Sequence, residues 1–96
     1  MSRVFMPQIL RTEVGGVKSL EVGGGTVGEV VQTLVGGHPG LGGRLLTPEG
    51  DLQRFINVYL NGQDVRYLDG LDTPVAERDE IRLLPAIAGG SPRADG

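Results

Sequence analysis

The chain has no cysteine. That absence excludes disulfides, thiolate metal sites, iron–sulfur ligation and a catalytic thiol together. Tryptophan is absent too, and two Phe and two Tyr are the only aromatics. Val, Leu and Ile must therefore fill the core. Histidine occurs once, as His38 in a Gly-Pro loop, and no other ligand type stands at a useful spacing from it. The acidic residues Asp69, Asp72, Glu77, Asp79 and Glu80 are too scattered for a metal site and read as solvated surface. Lys18 is the only lysine and reads as a surface strand residue. The formal net charge of −3 argues against nucleic acid as a partner. No apolar run is long enough to cross a bilayer and no signal peptide is legible, so the cytoplasm is the expected compartment, with no membrane partner.

What is present fits one small domain of 96 residues. Arg3 to Leu10, "RVFMPQIL", reads as a strand, with Pro7 marking an edge or bulge. Val14-Gly15-Gly16 is a turn, and Val17 to Val22 alternates as the returning strand of a hairpin. Thr26 is placed as a helix N-cap, with Glu29 at the capping-box spacing. Val27, Val30, Val31, Leu34 and Val35 then form one apolar face, and Gly36-Gly37 stops the helix. Pro39 to Leu46 holds a short second helical turn, and Thr47 to Asp51 is a loop. Arg54 to Leu60, "RFINVYL", is the best strand, followed by an Asn61-Gly62 tight turn and a short partner over Gln63 to Tyr67. Leu68 to Asp79 reads as irregular, with a turn at Asp72-Thr73-Pro74. Glu80 to Leu84 is the last strand, and Pro85, without an amide hydrogen, ends its pairing.

The order β-β-α-β-β-β predicts an α+β domain, one main helix packed on one face of a mixed sheet of about five strands. With the helix as crossover, the first and last strands lie side by side in the middle. That is the β-grasp, or ubiquitin-like, arrangement.

Gly-Gly pairs are plentiful among the 17 glycines, and most have a plain reading as turns or helix stops. Gly89-Gly90 differs in position and company. It follows the last strand directly, after Pro85, Ala86, Ile87 and Ala88. Ala86 to Gly90 spans at most about 17 Å, a short arm rather than a linker. Glycines thread channels too narrow for side chains. An arm that delivers a carboxylate into another protein's active site needs that property.

Nearly the whole of residues 1–90 resembles the ubiquitin-like sulfur-carrier family, the ThiS/MoaD group, and within it the CysO-type carriers that serve cysteine synthesis. The resemblance rests on "VGGVKSLEV" (14–22), "GGTVGEVV" (24–31), "RFINVYLNGQDVRYLDGLDT" (54–73) and, most specifically, "DEIRLLPAIAGG" (79–90). It implies a carrier domain over 1–90 with a flexible Gly-Gly tail, itself not an enzyme and binding no cofactor. It implies that an E1-like enzyme uses ATP to adenylate the carboxylate of Gly90 and that a sulfur donor then replaces AMP, leaving a thiocarboxylate. It implies sulfur delivery to a synthase of the cysteine, thiazole or thiosugar type. Ser91 to Gly96, "SPRADG", departs from the pattern, since most members end at the second glycine. Gly90 then bears no free carboxylate. A removable extension is expected, cut between Gly90 and Ser91 by a JAMM-type zinc metalloprotease. A ubiquitin-like modifier joined through Gly90 to target lysines is the alternative, and a β-grasp binding module without tail chemistry is the third reading.

Alternation also predicts the faces of the strands. Ile56, Val58, Leu60, Ile81 and Leu83 point inward. Phe55, Tyr59, Arg82 and Leu84 are then left on the open face as a docking surface for the activating enzyme.

Overall fold

The computed structural model describes residues 1–85, which leaves Ala86 to Gly90 and Ser91 to Gly96 outside the described residues. Strand β1 (Ser2–Phe5) pairs antiparallel with β2 (Ser19–Val22). Helix α1 (Val27–Gly37) follows, then a 3-10 turn (Pro39–Leu41) and the short helix α2 (Gly42–Leu45). Strands β3 (Ile56–Leu60), β4 (Gln63–Asp64) and β5 (Glu80–Pro85) complete one sheet in the order β2-β1-β5-β3-β4. Only β1 and β5 run parallel, side by side in the middle, and the other pairs are antiparallel. This is the β-grasp fold that the element order predicts.

The first strand is shorter than the alternation suggests. Pairing ends at Phe5, and Gln8–Val14 forms a 3-10 helix with Pro7 as its N-cap. Proline cannot donate to a strand ladder but suits the entry to a helix. Leu10 and Val14 are thereby turned into the core. Gly15 and Gly16, with φ of +74° and +85°, reverse the chain toward β2. Lys18 sits in the bend before β2, not in the strand.

The start of α1 is built as its sequence dictates. The Thr26 hydroxyl accepts from the Glu29 amide at 3.2 Å, and the Glu29 carboxylate accepts from the Gly25 amide at 2.8 Å. This is a capping box whose return bond lands one residue early. Val27, Val30, Val31 and Leu34 are buried against the sheet. The helix ends with Gly36 and Gly37 as its last two residues, and His38 is its C-cap. Pro39 disfavours helical geometry in the residue before it, and His38 lies at φ −140° with its amide still bonded to Leu34 and Val35 carbonyls.

Gly24 lies close against the first turn of this helix. Its φ is +149°, and a Cβ there would stand 2.6 Å from the Val30 nitrogen and 2.8 Å from its side chain. Gly24→Ala is therefore expected to destabilise the domain by about 1–3 kcal/mol. Urea unfolding followed by circular dichroism checks it; a midpoint equal to the parent's would show that the helix start adjusts freely.

The second hairpin turns through Asn61 and Gly62, both left-handed at φ of +50° and +89°, as a type I′ turn requires. Its return strand is shorter than the sequence reading: only Gln63 and Asp64 pair, and Val65–Tyr67 is a 3-10 turn that buries Val65. The segment read as irregular is also tied down. Gly70–Asp72 is a 3-10 turn, and Thr73 to Val75 lies along the start of α1, with Val27 donating to Thr73 and Val75 to Gly25.

Candidate functional site

The central strand β5 ends at Pro85, so the chain leaves the middle of the sheet with Gly90 five residues farther on. What surrounds that exit decides what can approach the tail. Along β3 and β5, Ile56, Val58, Leu60, Ile81 and Leu83 are buried under the helix, while Tyr59 is half-buried and Arg82 and Leu84 are exposed on the other face. The alternation therefore places these residues correctly.

One row of side chains crosses the open face. Ser19, Phe5, Arg82, Tyr59 and Asp64 stand opposite one another in register across all five strands. The Arg82 guanidinium lies over the Phe5 ring, 4.2 Å from its centroid. Such a stack fixes a long side chain and is worth about 0.5–1 kcal/mol at an exposed site. In the next row toward the exit, Leu84 faces Asn57. Phe55 lies just before β3 and not in it, and is about half exposed. Arg66 braces that turn: its guanidinium donates to the Asn57 side chain, to the Gln53 carbonyl at 2.9 Å and to the Ile56 carbonyl at 2.8 Å. Tyr59, Arg82 and Leu84 thus form one patch, with Phe55 at its edge.

Sequence reasoning missed Phe5 and Arg66. Phe5 was legible in principle, since Val4 must point inward and its neighbour outward. Arg66 was not, because its partners are mostly carbonyls, which carry no residue signal.

Beside this patch, on the β1 side of the exit, lies a groove of about 410 Å³. Arg11, Lys18 and Arg82 line it together with a mostly apolar wall that includes Met6 and Leu84. Among the described residues no carboxylate lines it.

Among the described residues no group of His, Asp and Glu could hold a metal ion, and no helix is long and apolar enough to cross a membrane. Of the acidic residues listed as surface, Asp79 has a local task. The Ala76 amide donates to its carboxylate at 2.8 Å, and with the Asn61 side chain this holds its pKa below the usual carboxylate range. The bond closes the turn that feeds β5.

The model of the ThiS family matches residues 4–90. The chain belongs to the ThiS family. This ThiS-family chain is 44% identical over 89 residues to sulfur carrier protein CysO of Mycobacterium tuberculosis, an alignment covering 91% of the chain and 96% of the relative. It is 37% identical over 81 residues to small archaeal modifier protein 1 of Haloferax volcanii, covering 81% and 88%. Among solved structures, it is similar to a chain of the Amycolatopsis orientalis BexX/CysO complex, with a TM-score of 0.85, 46% identity, and coverage of 94% of this chain and all of that one.

Proposed function

We propose that this protein is a sulfur carrier, a protein substrate rather than an enzyme, whose reacting group is the carboxyl of Gly90. The observation that carries the reading is where the family match ends: at residue 90, five residues beyond the central strand, on Gly89-Gly90. The relatives named CysO support the carrier role. An E1-like enzyme supplies ATP, and the carboxylate of Gly90 attacks its α-phosphate, releasing pyrophosphate. Sulfide or a sulfur donor then attacks the acyl carbon, AMP leaves, and a thiocarboxylate remains. A carboxylate is a poor electrophile and adenylation gives it a leaving group. The carrier binds no cofactor of its own, and ATP belongs to the activating enzyme. Sulfur passes on to a synthase of the cysteine, thiazole or thiosugar type, in the cytoplasm.

In this reading Ser91 to Gly96 is a cap. With those residues attached, Gly90 is in peptide linkage and has no carboxylate to activate. A JAMM-type zinc metalloprotease cutting between Gly90 and Ser91 frees it. Incubation with the E1-like enzyme, ATP and sulfide tests the proposal: a chain ending at Gly90 gains sulfur in place of oxygen by mass. The modifier reading is favoured by a separate observation, the similarity to small archaeal modifier protein 1. Adducts of Gly90 on target lysines, without any thiocarboxylate, would put it first.

The activating enzyme docks on the open-face patch. Phe55→Ala and Arg82→Glu are each expected to weaken the complex by about 1–2 kcal/mol, as removing an interface anchor does. Both side chains are exposed, so the thermal midpoint should stay near the parent's. Isothermal titration with the enzyme checks the affinity, and unchanged affinity for both variants would remove the patch from the interface.

A further inference from the structure

The cationic groove beside the tail exit shares Arg82 and Leu84 with the open-face patch, but its other two cations, Arg11 and Lys18, have no part in that patch. The chain carries a net charge of −3, yet Arg11, Lys18 and Arg82 meet here with no carboxylate in the lining among the described residues. The ion pairs among the described residues, Arg3 with Glu21 at 2.9 Å and Arg44 with Glu13 at 3.8 Å, involve none of the three. Two of them are held in place beforehand. Arg11 donates through Nε to the Met6 carbonyl at 3.2 Å, and Arg82 is stacked on Phe5. A guanidinium has five N–H donors, so most of those on Arg11 remain for a ligand.

We infer that this groove receives an acidic segment of the adenylating partner, one with apolar side chains interleaved between its carboxylates. The inference rests on Gly90 being the group that partner activates. The cations match carboxylates, and fixing them in advance lowers the ordering cost of binding. A free phosphate would leave the mostly apolar wall unused, whereas interleaved apolar residues cover it. Proximity selects the partner. Leu84 lines the groove, and the five residues from Ala86 to Gly90 reach at most about 17 Å. A protein that takes Gly90 into its active site must then lie against this part of the surface. Charge complementarity here would act on encounter and selection more than on the chemical step.

The test is the rate of AMP transfer to the chain ending at Gly90, catalysed by the E1-like enzyme of the same organism, measured across a range of salt. Arg11→Gln combined with Lys18→Glu should raise KM about tenfold with kcat little changed. The fall of kcat/KM with salt should become shallower, because fewer charges are screened. Lys18→Glu alone should raise KM a few-fold. Among the described residues the Lys18 side chain makes no hydrogen bond or ion pair, so this variant isolates charge from folding. Unchanged KM and unchanged salt slope, with the parent chain adenylated normally, would overturn the groove as a partner site. No adenylation of the parent chain would instead overturn the reading of Gly90, and the partner assignment with it. A third outcome concerns this chain's own end. If the amide resonances of Phe5, Met6 and Lys18 shift when Ser91 to Gly96 is removed, the groove holds that segment and not a partner's, which also overturns the inference.

Discussion

Ile81→Ala is expected to remove about 2–5 kcal/mol of stability, the usual range for truncating a buried isoleucine. Ile81 is 1% exposed and lies at the middle of the molecule. It stands opposite Val4 on β1 and Leu60 on β3, both also buried, so no solvent-facing edge can relax into the space left behind. A domain of this size has a total stability of about 5–15 kcal/mol, and at the low end of that range a loss near 5 kcal/mol would leave it partly unfolded at physiological temperature. The neighbouring variant Leu84→Ala is the control. Leu84 is 43% exposed on the same strand, and its removal should cost well under half as much. Denaturant titration of both variants checks the ordering, and similar losses would mean that the strand's two faces are not divided as described. The pairing matters for function because β5 is at once the centre of the core and the base from which the chain runs on to Gly90.

Much of this was legible in the sequence, for identifiable reasons. The strict alternation of "INVYL" and "EIRLL" has the period of a half-buried strand and nothing else, and the structure buries those faces. Thr26 and Glu29 carry their capping geometry in their spacing. Asn61-Gly62 tolerates the left-handed backbone of a tight hairpin, as few other pairs do. The failures have physical causes as well. "RVFMPQIL" places Val4, Met6 and Leu10 in the core, yet strand alternation and a 3-10 turn both satisfy that pattern, and Pro7 decided for the turn. Gly36-Gly37 ends its helix without a left-handed glycine cap, because Pro39 acting on His38 enforces the stop. The cationic groove was beyond sequence reading. It joins residues from the 3-10 helix, the bend before β2 and the last strand, and only the parallel pairing of β1 with β5 brings them together.

Chemistry at the tail gives the other large expected effect. A chain ending at Gly90 should be adenylated, and the full chain to Gly96 should not react at all within detection. Connectivity separates the two chains. In a chain ending at Gly96 the α-carboxylate is on Gly96, up to about 20 Å farther along, and the Gly90 carbonyl is an amide with no carboxylate oxygen to offer ATP. If Gly90 is activated as proposed, Gly90→Ala in the shortened chain should react at least tenfold more slowly, because a Cβ would obstruct close backbone approach in the partner's active site. Equal rates for that variant would remove the steric role of Gly90 while leaving the connectivity argument intact.

The most direct measurement is intact mass spectrometry of the two chains, ending at Gly90 and at Gly96, after incubation with the E1-like enzyme, ATP and sulfide. The account predicts that the shorter chain gains the mass difference between sulfur and oxygen and that the longer chain is unchanged. Sulfur incorporated equally into both chains, or into neither, would contradict it.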